Sequence, residues 1–401
     1  MSTLTGIRTI RELPIEQKRL FVRVDYNVPL EGGVITDDSR IRESLPTLRH
    51  ALERGARLVL ASHLGRPKPG KTEGLSLEPV GARLAELLKV EVLMPESCIG
   101  DSAKKAVFDL REGQVCLLEN LRFEEGEEKN DENFAVELRK LADMYVDDAF
   151  GAVHRAHASV HALPKLFQER GCGFLLEKEI AALGKLMTDV ERPYVAILGG
   201  AKVSDKLAVL ESLIERVDVL LIGGAMANTF LAARGVDMKA SRVEADKLAL
   251  ARTILSKAEA RKVKVVLPAD VVVAASLDAD SGTIKDVSAL GLGDMALDVG
   301  PKTVDLFRQA IANAKSVFWN GPLGLFEKAP FSSGTFETAR ALADASAFTV
   351  VGGGDSAAAV YAAGGDLASK MKHISTGGGA SLELIEGKKL PGIEVLRSGG
   401  N

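Results

Sequence analysis

The sequence predicts an α/β protein with two doubly wound parallel-sheet domains joined by an interdomain helix and a hinge. Its 401 residues are too many for one ordinary hydrophobic core and suit two domains of about 190 residues each. Short apolar runs alternate with helical patterns in both halves, which is typical of parallel sheets covered by helices. No segment repeats with a period of about 20–50 residues, so a solenoid is excluded. Both predicted domains are therefore Rossmann-like.

One helical pattern separates the two halves. In LLEKEIAALGKLMTDV, residues 175–190, apolar residues recur near every third or fourth position, and Pro193 precedes the next strand. We therefore predict an N-terminal domain over residues 1–174, an interdomain helix over residues 175–190 and a C-terminal domain over residues 191–389. Residues 390–401 form a short C-terminal segment.

The composition is that of an ordinary globular protein and excludes several function classes. Hydrophobic residues make up 46% of the chain and charged residues 26%. A formal net charge of −4 gives no global basic field for nucleic acid or a membrane surface. The three cysteines lack the spacing of a metal site or a disulfide framework, and the first residues (MSTLTGIRTIREL) lack the apolar stretch of a signal peptide. We expect a cytoplasmic protein with reduced thiols.

The two halves differ in the residues that could bind a ligand. The first 189 residues hold most of the arginines and five of the six histidines, whereas the remainder holds most of the glycines. Guanidinium groups bind anions through paired hydrogen bonds, and glycine-rich turns expose backbone amides. The first half is therefore suited to binding an anion through side chains, and the second to binding phosphates through the backbone.

Four strand-like runs in the first half are each followed by polar residues. The run LVLA is followed by SHLGRP (62–67), and the run LFVRV is followed by DYNVP (25–29). The run VCLL begins a strand that we expect to end in an arginine, and the run MYV precedes a further arginine. The carboxyl ends of parallel strands form the ligand-binding edge of an open α/β sheet, so these residues suit a small polyanion that carries carboxylate and phosphate. A further arginine, Arg40, lies near the start of a helical pattern. The candidate binding residues are therefore Asp25, Asn27, Arg40, His63, Leu64, Gly65, Arg66, Arg122 and Arg155.

The second half places glycines where strands meet helices. The strand YVAIL ends at glycines 199–200, and we expect Lys202 and Lys206, four residues apart, to share one face of the next helix near its start. FTVV leads into three glycines and Asp355, and the glycines at 377–379 precede another helical pattern. Free amides at such helix starts bind phosphate, although the Walker pattern GxxxxGK[ST] is absent. Asp355 could cap its helix or bind Mg²⁺ beside phosphate oxygens.

Taken together, these motifs resemble those of the phosphoglycerate kinase family. RVDYNVP, SHLGRP, LLENLRF and VDDAFGAVHRAHAS follow the order and spacing of its N-terminal domain. ILGGAKVSDK, WNGPLGLFE, VVGGGDSAAA and STGGGASLELIEGKKLPG resemble its nucleotide-binding C-terminal domain. The resemblance spans nearly the whole chain. It implies a monomeric glycolytic enzyme that transfers a phosphoryl group reversibly from 1,3-bisphosphoglycerate to ADP, with Mg²⁺, giving 3-phosphoglycerate and ATP.

The resemblance also implies roles for individual residues. The N-terminal domain would bind 3-phosphoglycerate, the segment from residue 390 would return to that domain, and Asp355 would bind Mg²⁺. Transfer would be direct and in line after hinge closure, so that no covalent intermediate is needed. Ser356 stands where the family commonly has threonine and keeps the hydroxyl. The expected catalytic residues are Arg40, Lys202, Lys206, Gly378 and Gly379. The expected nucleotide-binding residues are Lys206, Gly293 against adenine, Glu327 at the ribose, Gly353, Gly354, Asp355 and Ser356.

Two other function classes share some of these features. An NAD-dependent dehydrogenase also uses doubly wound sheets, but it needs GxGxxG after an early strand and an acidic residue about 20 positions later, which neither half has. A non-catalytic nucleotide-binding module would leave the arginines and histidines of the first half without a role.

Overall fold

The computed structural model describes residues 4–67 and 73–397. The chain divides into two compact units. Unit 1 comprises Met1–Ala181 with Lys389–Asn401, and unit 2 comprises Ala182–Lys388. The part of the predicted C-terminal segment beyond residue 397 lies outside the described residues. Within those residues, each helix is too short or too polar to cross a lipid bilayer.

Unit 1 contains a parallel sheet with helices between its strands. The strands of unit 1 are β1 (Arg19–Val24), β2 (Leu30–Glu31), β3 (Val34–Ile35), β4 (Arg57–Ala61), β5 (Val92–Leu93), β6 (Val115–Leu117), β7 (Met144–Asp148) and β8 (Arg170–Cys172), of which β2 and β3 form a separate antiparallel pair. Its first helices are α1 (Ser39–Glu53), α2 (Glu78–Leu88), α3 (Gly100–Phe108), α4 (Glu125–Glu128), α5 (Glu132–Arg139) and α6 (Leu163–Lys165), and α7 (Phe174–Thr188) runs on into unit 2.

The order of strands in this sheet determines where a ligand can bind. The six strands lie in the order β5-β6-β4-β1-β7-β8, with every neighbouring pair parallel. The chain leaves β1 towards β4 on one side and later returns to β7 on the other, so a crevice opens at the carboxyl end of β1. Buried apolar residues of β1, β4 and β6 pack with α1 and α2 into the main core of unit 1.

The first amides of the helix α7 are hydrogen-bonded to buried side chains of unit 1. Asp148, at the end of β7, accepts hydrogen bonds on Oδ1 from the amides of Leu175 at 2.9 Å and Leu176 at 3.1 Å. The amide of Phe174 donates to Oγ1 of Thr47 at 2.8 Å. These bonds satisfy the free amides of the first turn, which explains why the helix starts here.

The strands and helices of unit 2 repeat the same architecture. Its strands are β9 (Tyr194–Leu198), β10 (Val219–Ile222), β11 (Lys264–Val266), β12 (Asp270–Ala274), β13 (Thr283–Asp286), β14 (Met295–Val299), β15 (Ser316–Asn320), β16 (Phe348–Gly352) and β17 (His373–Ile374). Its helices are α8 (Leu207–Ile214), α9 (Gly224–Ala233), α10 (Leu248–Ala260), α11 (Pro301–Ala312), α12 (Ser333–Asp344), α13 (Gly354–Ala362), α14 (Leu367–Lys370) and α15 (Gly378–Ile385).

Unit 2 contains two sheets. The parallel sheet has the order β11-β10-β9-β15-β16-β17, so its first strand, β9, again lies where the chain direction across the sheet reverses. The second sheet, β13-β12-β14, is antiparallel and was not predicted from the sequence. The two parallel sheets confirm the predicted α/β fold class.

Residues 389–397 pack on unit 1 although they follow unit 2 in the chain. They include the helix α16 (Pro391–Glu394). The amide of Gly392 donates to the carbonyl of Val153 at 2.9 Å, and Nε of Arg170 donates to the carbonyl of Val395 at 2.8 Å. Unit 1 is therefore assembled from two separate stretches of sequence.

Candidate active site

A charged crevice lies at the carboxyl ends of β1 and β4. Nη1 of Arg40, in the first turn of α1, donates to Oδ2 of Asp25 at 2.6 Å. The Arg40 charge keeps Asp25 ionised: burial alone would raise the pKa of this carboxyl, but the guanidinium groups of Arg40 and Arg23 lower it overall. We define the charged crevice by Asp25, Asn27, Arg40, His63, Leu64, Gly65, Arg66, Arg122 and Arg155.

The loop after β4 is held in a conformation that requires glycine. Gly65 has a φ of +62°, and a Cβ at this position would lie 2.7 Å from Cδ2 of Leu75. Its amide donates to Oδ1 of Asn27 at 2.8 Å, and its carbonyl accepts from Nη1 of Arg122 at 2.7 Å. The structure thus brings Asn27 and Arg122 to one loop, with Arg122 bracing its backbone.

The expectation that a strand ends in Arg122 is wrong. The strand β6 ends at Leu117, and Arg122 lies in the 3-10 turn Leu121–Phe123. The side chain of Asn120 explains the break, because its Oδ1 accepts from the amides of Arg122 at 3.1 Å and Leu64 at 3.2 Å. These bonds take the chain out of the sheet and join two loops of the crevice.

Arg23 lies beneath the crevice and was not among the predicted site residues. It is only 1% exposed, and its Nη2 lies 3.1 Å from Nδ1 of His63. A guanidinium can only donate, so Nδ1 of His63 is the acceptor and the ring proton is on Nε2. Burial lowers the pKa of His63 well below its usual value, so the ring is neutral. His63 therefore offers a neutral N–H donor. The sequence feature that could have indicated Arg23 is its position as an arginine inside an otherwise apolar strand.

The buried charge of Arg23 has a nearby counter-charge. Its Nε donates to Oγ of Ser159 at 2.8 Å, and that hydroxyl donates to Oε1 of Glu127 at 2.6 Å. Oε2 of Glu127 accepts from the amide of Ser159 at 2.9 Å. A fully buried charge is costly unless it is paired and hydrogen-bonded, so this arrangement lets Arg23 remain below His63.

Asp147, another buried carboxyl below the crevice, is predicted to make stability depend on pH. Burial raises its pKa to about 7, while Ala149 and Tyr145 donate to its two oxygens. Because the folded-state pKa is raised, the associated stability is complete below about pH 4 and is lost as the pH rises through about 7. From about pH 5 to about pH 8, the free energy of unfolding should fall by roughly 2 kcal/mol more in the parent than in Asp147→Asn. Urea unfolding at both pH values measures this difference.

The control for this measurement is Asp109→Asn, because Asp109 is exposed at the end of α3. It should show the same pH dependence as the parent. Equal pH dependence in Asp147→Asn and the parent would contradict the raised pKa.

The remaining predicted residues of unit 1 lie at the surface of the crevice. The side chains of Arg66 and Arg155 are exposed. Arg155 lies near enough to act on His157: burial, followed by the charges of Arg122, Arg23 and Arg155, lowers the pKa of His157 to about 4. His157 is thus a neutral neighbour of the crevice that the predicted set did not include.

Unit 2 contains a cavity of about 520 Å³ at the carboxyl end of its parallel sheet. Gly200, after β9, and Pro322, after β15, line it, and the amide of Gly200 donates to the carbonyl of Pro322 at 2.9 Å. Residues 295–297 of β14 form another wall, so the unpredicted antiparallel sheet helps to form the cavity. The predicted residues Glu327 and Asp355 also line it.

Two helix N-termini meet beside this cavity. The helix α13 starts at Gly354 and α15 starts at Gly378. A Cβ on Gly378 would lie only 3.3 Å from the amide nitrogen of Gly354, so a side chain at Gly378 would crowd this approach. Free first-turn amides and the positive ends of two helix dipoles therefore face the same region, which favours an anion.

Asp355 and Ser356 have different surroundings in the first turn of α13. Asp355 is exposed and is not the capping residue, because Gly353 occupies the N-cap position. Ser356 is buried, and its Oγ accepts from the amide of Gly321 at 2.6 Å. The Asp355 carboxylate is thus available to a ligand, whereas the Ser356 hydroxyl supports the loop after β15.

The expectation that Lys202 and Lys206 share a helix face is wrong. The helix α8 begins only at Leu207, Lys206 is its N-cap residue, and Lys202 is exposed in the preceding coil. The carboxylate of Glu244 accounts for this, because it accepts from the amides of Val203 and Ser204 and so stabilises the 3-10 turn Ser204–Lys206 in place of a first α-helical turn. Lys206 is half-buried; burial lowers its pKa, and the nearby charge of Asp355 raises it.

Gly293 lies in a tight turn and is not among the residues that line the cavity. The turn is closed by Asp294, whose amide donates to the carbonyl of Gly291 at 3.0 Å and whose Oδ2 accepts from the amide of Gly291 at 2.5 Å. The carbonyl of Asp294 accepts from the amide of Ala240, a cavity residue, at 3.1 Å. Gly293 therefore neighbours the cavity through this turn.

Comparisons with known proteins agree with one another. The family model "Phosphoglycerate kinase" matches residues 10–388. A phosphoglycerate kinase of Anaeromyxobacter sp. (strain Fw109-5) is 57% identical over 395 residues, covering 98% of this chain and 99% of the relative. The relative from Chlorobaculum tepidum is 50% identical over 394 residues, with 97% and 99% covered. The solved phosphoglycerate kinase from Coxiella burnetii is 38% identical, with a TM-score of 0.88 and with 97% of this chain and 98% of that chain covered.

Proposed function

Because this chain belongs to the phosphoglycerate kinase family, we propose that its charged crevice binds the glycerate and its unit 2 cavity binds the nucleotide. The family transfers a phosphoryl group reversibly between 1,3-bisphosphoglycerate and ADP. The enzyme is a glycolytic phosphotransferase with a carboxyl-group acceptor. The family match over residues 10–388 excludes the dehydrogenase considered from the sequence. This division of roles rests on one observation: arginines line the crevice of unit 1, whereas two helix N-termini converge beside the cavity of unit 2.

In the crevice, side chains supply the contacts to 3-phosphoglycerate. Arg40 uses one donor on Asp25, and a guanidinium has five, so others are available to a phosphoryl group or carboxylate. His63 donates from Nε2 as a neutral group. Arg66 and Arg155 contribute charge from exposed positions. Asp25 and Asn27 suit the hydroxyl of the substrate.

In the cavity, backbone amides and lysines supply the contacts to the nucleotide. The amides at Gly353 and Gly354, with those at Gly378 and Gly379, bind phosphate oxygens. Lys202 and Lys206 neutralise the transferring phosphoryl group, and Glu327 accepts from the ribose. Gly293, through its turn, supports the wall for adenine. Ser356 acts by holding the loop at Gly321.

The residues of unit 2 fit a Mg²⁺ ion that is held jointly with the nucleotide. Among the described residues, no group of three or more acidic, histidine or cysteine side chains could hold a metal alone. Asp355 is an exposed carboxylate in the cavity wall, and Mg²⁺ prefers one or two carboxylates together with phosphate oxygens. When bound, the ion neutralises phosphate charge as transfer proceeds.

Transfer is direct because the reacting groups need no further activation. The acyl phosphate is already reactive and the acceptor oxygen is already an anion, so neither a covalent intermediate nor a general base is required. Positioning and charge neutralisation supply the catalysis. Arg40 and Lys206 are the groups whose contacts strengthen as charge spreads over the transferring phosphoryl group.

The two sites belong to different units, so we propose that binding of both substrates closes a hinge. The bends lie near α7, which runs from unit 1 into unit 2, and near residues 390–393, where the chain returns to unit 1. Reacting atoms must approach to about 3–3.5 Å, and closure also excludes water. Small-angle scattering should give a smaller radius of gyration with both substrates than with either alone. An unchanged radius would contradict closure.

The decisive test of function is turnover in an assay that couples 3-phosphoglycerate, ATP and Mg²⁺ to NADH oxidation. Full activity is expected from a monomer, which analytical ultracentrifugation can check, and we place the enzyme in the cytoplasm because its substrates are glycolytic intermediates. Well-folded protein without activity would overturn the assignment.

Replacing Arg122 by alanine should raise the KM for 3-phosphoglycerate more than the KM for ATP. The change removes a buried charge of the crevice and the hydrogen bond that braces Gly65. Charge-assisted bonds contribute about 1.5–3 kcal/mol, so the KM for 3-phosphoglycerate should rise roughly 10- to 100-fold. Steady-state kinetics with each substrate varied in turn measures both constants. Arg111→Ala, at an exposed position of the same unit, is the control. A rise in the KM for ATP alone would contradict the division of roles.

A further inference from the structure

The carboxylate of Glu244 binds three donors of the turn that leads to Lys206. Its Oε2 accepts from the amides of Val203 at 2.5 Å and Ser204 at 3.3 Å, and its Oε1 accepts from Oγ of Ser204 at 2.7 Å. Burial raises the pKa of Glu244, but these hydrogen bonds outweigh it and lower the pKa overall. Glu244 is therefore a carboxylate anion at neutral pH, with both oxygens used on one turn.

The position of Glu244 is itself fixed. Its amide donates to Oγ1 of Thr229 at 3.1 Å, and Thr229 is 1% exposed in α9. Nδ2 of Asn228, also buried in α9, donates to the carbonyl of Arg242 at 3.2 Å. A carboxylate supported in this way can hold a flexible turn in one geometry.

Backbone hydrogen bonds of the turn connect Glu244 to Lys206. Val203 donates its amide to Glu244, and its carbonyl accepts from the amide of Lys206 at 3.0 Å. Lys206 is the N-cap residue of α8, and its own side chain does not cap the helix. The lysine is thus left to face the charge of Asp355, and the path from Glu244 to Lys206 contains only one intervening residue.

We propose that Glu244 is a positioning residue for phosphoryl transfer, because it fixes the Val203–Lys206 turn and thereby the ammonium group of Lys206. This inference rests on the role of Lys206 given under the proposed function. Ala240 and Arg242, which precede Glu244 in the same segment, line the nucleotide cavity. The segment that holds the lysine turn therefore also lines the cavity proposed for the nucleotide.

The test compares Glu244→Ala, Glu244→Asp and Glu244→Gln in the full-length protein. Glu244→Ala should lower kcat roughly 10- to 100-fold, because small displacements of a catalytic group have effects of this size, while the KM for 3-phosphoglycerate changes less than about twofold. Glu244→Asp, with a shorter side chain, should show a smaller loss. Glu244→Gln keeps an amide oxygen for Val203 and Ser204 and should recover most of kcat. Glu215→Ala, at an exposed ion pair with Arg261, is the matched control and should leave kcat unchanged.

A second measurement separates positioning from general stability. Carbon-13 NMR of lysine-labelled protein follows the titration of Lys206, assigned by the signal that Lys206→Arg removes. Burial lowers the pKa of Lys206, so release of the turn in Glu244→Ala should raise its titration midpoint towards that of an exposed lysine. Parent-like kcat and an unchanged Lys206 midpoint in Glu244→Ala would overturn the proposal, and if that variant does not fold, the same results in Glu244→Asp would overturn it. Full turnover in Lys206→Ala would instead overturn the assigned role of Lys206.

Discussion

Arg40→Ala and Lys206→Ala should each lower kcat by roughly 100-fold or more, while the affinities for 3-phosphoglycerate and ATP change far less. Both side chains carry a positive charge beside a proposed binding site, Arg40 bonded to Asp25 and Lys206 at the start of α8. Under direct transfer, both act on the same phosphoryl group, where negative charge spreads in the transition state. Their loss therefore affects the rate more than substrate binding.

The two changes should also be non-additive. Residues that act on one group show coupling energies of about 0.5–3 kcal/mol, so the double variant should lose less than the product of the two single effects. A double-mutant cycle on kcat, with substrate affinities measured by calorimetry, tests this. Arg42→Ala and Lys247→Ala are suitable controls, because these residues pair with Asp38 and Asp246. Fully multiplicative losses, or losses confined to KM, would show that the two groups do not meet at one phosphoryl group.

Asp355→Asn should cause a large loss of turnover and shift the Mg²⁺ dependence to higher concentration. Asparagine keeps the shape of the side chain and removes the charge from the cavity wall. Gly353, not Asp355, occupies the N-cap position of α13, so the loss of helix stability should be only a few tenths of a kcal/mol. Turnover as a function of Mg²⁺ and calorimetry of ATP binding with and without Mg²⁺ provide the measurements.

The control for this variant is Asp366→Asn, which changes an aspartate at the start of α14. It should retain the Mg²⁺ dependence of the parent. Turnover of Asp355→Asn equal to the parent at every Mg²⁺ concentration would leave Asp355 with a structural role only.

The sequence predicted the central strands because their residues are buried on both faces. The run Tyr194–Leu198 is buried throughout, and Leu20–Val24 is apolar except for Arg23, as expected for parallel strands between helix layers. The polar residues that follow these strands could be placed at one edge, since parallel strands present their carboxyl ends together. Much of the charged crevice follows from these two facts.

Other parts of the site depend on contacts between residues far apart in the sequence. The turn that separates Lys202 from α8 is stabilised by Glu244, about 40 residues later, so local spacing favoured an earlier start of the helix than the structure shows. The antiparallel strand β12 is a valine run that resembles a buried parallel strand in the sequence. Its partners, β13 and β14, follow only after long connections. Arg23 was missed because its burial is compensated by Glu127 and Ser159, which no local pattern reveals.

The return of residues 389–397 to unit 1 has a consequence for biosynthesis. Unit 2 is one continuous stretch, Ala182–Lys388, and can complete its fold as soon as that stretch has left the ribosome. Unit 1 begins first, yet its contacts at Val153 and Arg170 wait for a segment made more than 200 residues later. A chain that ends at residue 388 and has been released from the ribosome should therefore carry a finished unit 2 and a unit 1 that proteases still cleave.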